Sequence, residues 1–185
     1  GDLERREVMQ TVKIVVTGPF SSGKTEFIQS ISEIDVVSTE RKISLDAEKI
    51  KNATTVAMDF GRITVDKELI LYLFGTPGQR RFDFMWEILS EGMLGFIVMV
   101  DSSRPETFRE ARYILETFRA YAPTPDVVTA NKQDLDDAWD LEDMRYALRL
   151  DPKVKLLPCV AHDKNSVKKV LLELLFTILA EMEAK

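Results

Sequence analysis

Gly18-Pro19-Phe20-Ser21-Ser22-Gly23-Lys24-Thr25 follows directly on the apolar run Val12 to Val16 and opens a helix-patterned segment, Lys24 to Ile34. The spacing is G-x-x-x-x-G-K-[ST], a phosphate-binding loop in the strand-loop-helix setting that such a loop requires. The glycines let the backbone curl so that successive N–H groups, from Phe20, Ser21, Ser22 and Gly23 through Lys24, Thr25 and Glu26, face one phosphate. The helix that follows turns its positive end to the same anion. Lys24 adds a point charge between the β- and γ-phosphates, and the Thr25 hydroxyl suits Mg²⁺, which takes few protein ligands and keeps most of its waters. The alternative, a strand-to-helix turn that merely contains glycines, is weakened by the strand before it and the helical pattern after it.

Composition narrows the ligand further. The chain has 185 residues, 45% of them hydrophobic, and a formal charge of −6, enough for one domain with a two-sided core. Its basic residues do not gather into a continuous stretch, which argues against nucleic acid or an anionic membrane as the partner. Cys159 is the single cysteine and lies in an apolar run, so it packs as a small hydrophobe in a reducing compartment. His162 stands alone, without a metal-binding companion. The sequence contains no apolar stretch of membrane-spanning length, opens on no signal peptide and ends without a prenylation cysteine, so a cytoplasmic protein is expected.

Along the chain, 35–52 is polar and without period, a candidate mobile loop. Val56 to Val65 alternates, Asp66-Lys67 turns, and Glu68 to Phe74 returns as the second arm of a hairpin. Gln79 to Ser90 is amphipathic and aromatic, and Leu94 to Val100 is a continuous apolar strand of the fully buried kind. Ser103-Arg104-Pro105-Glu106 has the form of a capping box that opens a helix to about Tyr121. Asp126 to Ala130 and Val154 to Val160 read as strands, Leu141 to Leu150 and Asn165 to Glu183 as helices. The expected fold is α/β: a six-stranded, mostly parallel sheet with one antiparallel edge hairpin, helices on both faces and ligand loops at the strand C-termini.

Asn131-Lys132-Gln133-Asp134 ends the strand at Asp126 with N-K-x-D. Behind a phosphate loop this element points to guanine, because the Asp134 carboxylate can accept both the ring N–H and the exocyclic amine. Adenine would leave that carboxylate desolvated and unpaired. Lys132 is expected to lay its stem over the purine and Asn131 to tie this loop to the phosphate loop; Cys159-Val160-Ala161 resembles, in place, the short Ser-Ala-Lys-type element of guanine-nucleotide-binding proteins, which implies that the Ala161 N–H meets the guanine carbonyl.

With these motifs the chain resembles the Ras-like small GTPases, P-loop G-domain proteins, from Val12 to about Glu183. The likeness is nearest to the bacterial and archaeal MglA-type and conservon-associated members, whose partners are commonly Roadblock/LC7-type proteins. The resemblance implies a nucleotide-dependent switch that binds GTP and GDP with Mg²⁺, hydrolyses GTP slowly, and meets effector and regulatory proteins through its switch loops. It implies catalytic roles for Gln79, which orients water, and Lys24, a γ-phosphate sensor at Gly78, and Mg²⁺ ligands in Thr25 and Thr55, with Thr54 the alternative to Thr55. Residues 1–10 are then an N-terminal extension or expression remnant and 11–185 a single GTPase domain.

Three positions depart from that family's pattern. Gly75 replaces the aspartate that holds a water on Mg²⁺, which puts Mg²⁺ affinity in question; Asp101 is either a replacement or, the preferred reading, a loop-fastening carboxylate. Phe20 stands where many relatives have glycine and is expected to crowd Gln79 and slow turnover. Arg41 is either an internal arginine finger or a solvated loop arginine. In Arg80-Arg81-Phe82-Asp83-Phe84-Met85-Trp86, helical spacing cannot bury every aromatic on one side, so part of this surface is available to a partner. The rival reading is a catalytically impaired guanine-nucleotide-binding scaffold; an ATP-using kinase is disfavoured by Asp134.

Overall fold

The computed structural model describes residues 10–34, 39–42 and 55–184, with side chains described over 10–34 and 59–184. Along the chain run β1 (Gln10–Thr17), α1 (Lys24–Ile31), β2 (Thr39–Lys42), β3 (Thr55–Asp66), β4 (Leu69–Gly75), α2 (Phe84–Ser90), β5 (Gly95–Asp101), α3 (Phe108–Tyr121), β6 (Asp126–Asn131), α4 (Leu141–Ala147), β7 (Leu156–Pro158) and α5 (Lys164–Glu183). The strands form one sheet in the order β2-β3-β4-β1-β5-β6-β7. β1 pairs parallel with β4 and β5, β5 with β6 and β6 with β7, while β2-β3 and β3-β4 are antiparallel.

Side-chain alternation decides which residues meet on each face. Val12, Ile14 and Val16 of β1 join Leu71 and Leu73 beneath α1 and α5, which contribute Phe27, Ile28, Val170, Leu171 and Leu174. Val15 points the other way, into a second core with Phe96, Val98 and Val128, covered by Trp86, Ile114, Phe118 and Met144 from α2, α3 and α4. The central strand β5, Gly-Phe-Ile-Val-Met-Val-Asp, is buried at every position, as a strand covered on both faces must be.

All six expected strands are present, and β2 extends the antiparallel edge as a short seventh. It lies within the segment read as a loop, because Thr39-Glu40-Arg41-Lys42 carries no apolar alternation. The helix expected from Gln79 is shorter: Arg80–Phe82 forms a 3₁₀ turn and only Phe84–Ser90 is α-helical. Ser103 does not cap α3. Its N–H and hydroxyl both donate to Asp101 Oδ1, at 2.9 and 2.7 Å, a charged acceptor that turns the side chain back toward the end of β5. A 3₁₀ turn, Pro105–Thr107, leads into the helix instead.

The register aligns Val16 with Gly75, Thr17 with Val98, Asp101 with Asn131 and Ala130 with Pro158. The loops after β1, β4, β5, β6 and β7 therefore share one edge of the sheet, where α/β sheets present their ligand sites. No helix among the described residues is long and apolar enough to cross a membrane.

The second core depends on Phe118, which is fully buried and meets the rings of Trp86, Phe96 and Tyr121 at centroid distances of 5.9, 5.6 and 5.5 Å. Phe118→Ala is expected to cost about 3–5 kcal/mol of stability, read as a lowered urea midpoint at unchanged slope. A loss below about 1 kcal/mol would contradict this packing.

Candidate functional site

The phosphate loop is shaped by what lies behind it. Gly23 has φ +103°, and a Cβ there would collide with the Asn131 amide nitrogen. The gap left by glycine lets Asn131 Nδ2 donate to Ser22 O at 2.9 Å while its Oδ1 accepts the Ala161 N–H at 3.0 Å. One buried side chain thus joins the loops after β1, β6 and β7. Ser30 of α1 braces the same corner by donating to Ala161 O. Gly23 caps α1 without a side-chain hydrogen bond, so the first amides of the helix are left to an external acceptor.

Lys24 is buried, and its ammonium donates to Gly18 O at 2.8 Å, Pro19 O at 2.7 Å and Ser22 Oγ at 3.4 Å. Burial pushes its pKa down to about 8, against the raising influence of Asp59 and Glu110. The loop therefore holds a cation whose charge is only marginally favoured, which an approaching polyanion would stabilise.

The Thr25 hydroxyl donates to Asp59 Oδ2 on β3 at 2.5 Å. Asp59 lies opposite Gly75 in the β3-β4 register. A Cβ at Gly75 would stand 3.1 Å from Asp59 Cβ, 3.4 Å from its Oδ2 and 2.9 Å from Ile28 Cδ1. Gly75 thus leaves the room in which the Asp59 carboxylate reaches Thr25 from across the strand pair. Sequence reading missed Asp59, because within an alternating strand it resembles any outward polar residue. Its one available signal was the pairing of an unexpected glycine with a carboxylate at equal distance from the hairpin turn.

The loop after β4 is anchored at three points. Thr76 N donates to Val16 O at 2.9 Å, Thr76 Oγ1 to Thr17 Oγ1 at 2.8 Å, and Trp86 Nε1 to Pro77 O at 3.0 Å. Gly78 lies so near the phosphate loop that a Cβ would sit 2.5 Å from Phe20 N and 2.8 Å from Lys24 Nζ. Crowding at this point comes from the Phe20 backbone, while the side chain of Phe20 is 64% exposed. Gln79 follows, its Oε1 accepting from Arg81 Nε at 2.8 Å. Of the large apolar residues that follow, Met85 and Trp86 are buried, Phe82 is half-buried, and Phe84 and Ile88 are exposed.

In the loop after β6, Lys132 adopts φ +63° and its ammonium is held 2.8 Å from Asp101 Oδ2. Asp101 serves as the loop fastener: it also binds Ser103 and stands 3.6 Å from Arg104. Burial works to raise the Asp101 pKa, but the hydrogen bonds from Lys132 and Ser103 outweigh it and hold the carboxyl below its ordinary value. Asp134 is exposed, 3.9 Å from His162 Nε2, and His162 Nδ1 is 3.4 Å from Glu26. The Ala161 N–H, expected to meet a base carbonyl, is engaged by Asn131 in this arrangement. Cys159 is buried, and burial pushes its thiol up to about 11.

These loops enclose a cleft of about 670 Å³. Of the residues expected at the site, Phe20, Ser21, Gly23, Lys24, Thr25, Glu26, Gly78, Gln79 and Lys132 line it, joined by Asp59, Thr76, Pro77, Arg81 and Phe82. Ser22 and Asn131 support it from behind, whereas Asp134 and Ala161 stand in the adjoining loops without lining it. Thr55 opens β3 and Arg41 belongs to β2, but their side chains, like all of Thr54, lie outside the described residues. Backbone amides, one buried cation and hard oxygen donors make the cleft a receptor for a polyphosphate.

Residues 16–182 match the model of a family described as conserved hypothetical ATP binding protein. The chain is 31% identical over 126 residues to uncharacterized protein MJ1339 of Methanocaldococcus jannaschii, spanning 68% of this chain and 73% of that one. It is 28% identical over 156 residues to human ADP-ribosylation factor-like protein 4C, spanning 83% and 75% of the two chains. Human ADP-ribosylation factor-related protein 1 is 27% identical over 137 residues, 72% of this chain and 65% of the relative.

The lowered pKa of Lys24 has a measurable sign. Below pH 8 the free lysine is already charged; above it the lysine is neutral and must take up a proton when phosphates restore its charge. Calorimetric titration of a nucleoside diphosphate in buffers of different ionisation enthalpy is expected to show net proton uptake at pH 8 that exceeds that at pH 7. Binding heat independent of buffer at pH 8 would contradict it.

Proposed function

The chain belongs to the family described as conserved hypothetical ATP binding protein, and we propose that within it this protein is a small GTPase: a guanine-nucleotide-dependent switch that hydrolyses GTP slowly. The observation that carries the reading is the Asn131 clamp, which fastens the loop bearing Asp134 to the phosphate loop bearing Lys24. A base-reading carboxylate held at a fixed offset from a phosphate cradle selects the base of a nucleotide. Asp134 favours guanine over the adenine of the family's description, because only guanine offers it two donors. The likeness to ADP-ribosylation factor-like and factor-related proteins supports the same class.

In this reading the phosphate-loop amides and Lys24 neutralise the β- and γ-phosphates. Mg²⁺ fits the hard oxygen donors present, with Thr25 and Thr55 as ligands and Asp59 as the outer carboxylate; when bound it would offset phosphate charge. Gln79 orients water and Gly78 senses the γ-phosphate. Since Gly78 lies against Phe20 and Lys24, a γ-phosphate must displace the loop 76–79, and that displacement is the switch. Effectors would then read this loop and the exposed Phe84 and Ile88 beside it. A Roadblock/LC7-type protein, suggested by the likeness to MglA-type proteins, is the first regulatory partner to test.

A second reading, an impaired nucleotide-binding scaffold, is favoured by the same close approach of Gly78 to Phe20. Single-turnover assays separate the two. Release of phosphate from bound GTP, lost in Gln79→Leu, supports the enzyme; no release, alone or with a partner, leaves the scaffold.

Competition of GTP, GDP and ATP against a fluorescent guanine nucleotide is expected to show strong guanine preference, and Asp134→Ala to weaken GDP binding by tenfold or more. Equal competition by ATP would overturn the guanine assignment. Asp59→Ala should reduce the gain in nucleotide affinity on adding Mg²⁺ by about 10- to 100-fold, with affinity in excess chelator unchanged. An unaltered Mg²⁺ gain would exclude Asp59 as the substitute carboxylate.

A further inference from the structure

We propose that Arg81 supplies, from within the chain, the guanidinium that stabilises charge on the transferring phosphoryl group; the proposal rests on the GTPase reading above. Two arginines follow Gln79, and they diverge. Arg80 lays its guanidinium over the Tyr113 ring of α3, 4.2 Å from the centroid, and is thereby committed to the flank. Arg81 lines the cleft with Lys24, Gly78 and Gln79. It rests against Phe82, 4.6 Å from the ring centroid, and its Nε donates to Gln79 Oε1 at 2.8 Å. Among the described residues its terminal nitrogens make no hydrogen bond.

The 3₁₀ turn over Arg80–Phe82 brings this about, since Gln79 occupies its N-cap position and Arg81 the middle of the turn. A guanidinium has five N–H donors in a fixed fork. Spending one on Gln79 orients the carboxamide and leaves the outer edge for phosphoryl oxygens. An amide oxygen has two lone pairs, so Gln79 Oε1 can accept from Arg81 and from the attacking water together. In the step itself the water oxygen bonds to the γ-phosphorus as the bond to the β–γ bridging oxygen breaks. GDP leaves with that electron pair, one water proton stays on the inorganic phosphate, and the other passes to solvent. Arg81 neutralises the charge that gathers on the γ-phosphoryl and bridging oxygens.

An in-chain arginine gives turnover of about 10⁻² s⁻¹, against about 3–5 × 10⁻⁴ s⁻¹ for a small GTPase without one. Arg81→Ala should therefore slow single-turnover hydrolysis by about 20- to 30-fold. The readout independent of turnover is fluoroaluminate, which mimics the transferring group beside GDP. The GDP-loaded wild type is expected to bind fluoroaluminate with no partner protein, and Arg81→Ala and Arg81→Lys to weaken that binding at least tenfold, with mant-GDP affinity unchanged within twofold. Wild type that ignores fluoroaluminate, or Arg81→Ala that binds it normally, overturns the proposal while normal mant-GDP binding leaves the guanine-nucleotide reading standing. A wild type that binds no mant-GDP overturns both.

Discussion

Asn131 is the fastening on which the site depends. Its carboxamide is one rigid plane with a donor at one corner and an acceptor at the other, and each corner holds the backbone of a different loop. Both bonds are buried, where an unpaired amide costs about 1–3 kcal/mol, so the loops after β1, β6 and β7 are set relative to one another rather than separately. Gly23 is the matching constraint: any side chain there would evict the amide nitrogen. Lys24 is held by carbonyls of the same loop, so the spacing between the phosphate loop and the loop after β6 follows from Asn131, Gly23 and Lys24 together.

The Asp59-Gly75 pair illustrates how an antiparallel register brings a side chain on one strand into space left by a glycine on the next. In the GTPase reading proposed above, what a metal shell requires is an oxygen near Thr25, and the backbone position that supplies it is secondary. Because cross-strand neighbours in an antiparallel pair lie within about 5.5 Å, a carboxylate on β3 can reach the space that one on β4 would have filled. The exchange requires Gly75, since Ile28 and Asp59 leave no room for a second side chain. A pattern read along one strand would not find the Asp59 carboxylate beside Thr25; the register does.

Local signals were legible in the sequence, and relations between distant segments were legible only where motif order carried them. The phosphate loop, the hairpin and the buried run of β5 are each contiguous, with period and composition agreeing, and all appear where the pattern puts them. The tie between Asn131 and the phosphate loop followed from motif order alone. What escaped depended on tertiary geometry: Asp59, the edge strand β2 with its polar residues, and the capture of Ser103 by Asp101. The Ala161 amide escaped for the same reason, since its partner Asn131 lies 30 positions away. Asp101 shows the limit from the other side, since its alternatives were visible in sequence but only the positions of Ser103, Arg104 and Lys132 chose between them.

The bond from the Trp86 indole to Pro77 O gives the molecule an internal optical probe. The ring is wholly enclosed beside Phe118, so its emission belongs to a dry, fixed surrounding, while its one polar atom touches the loop that bears Gly78 and Gln79. Travel of that loop would strip the N–H of its acceptor without exposing the ring, altering intensity more than wavelength. The other tryptophan, Trp139, packs edge-on against Phe108 at the start of α3 and, among the described residues, shares no hydrogen bond with the loop that bears Gly78. The chain can thus report the position of its own loop without an attached dye.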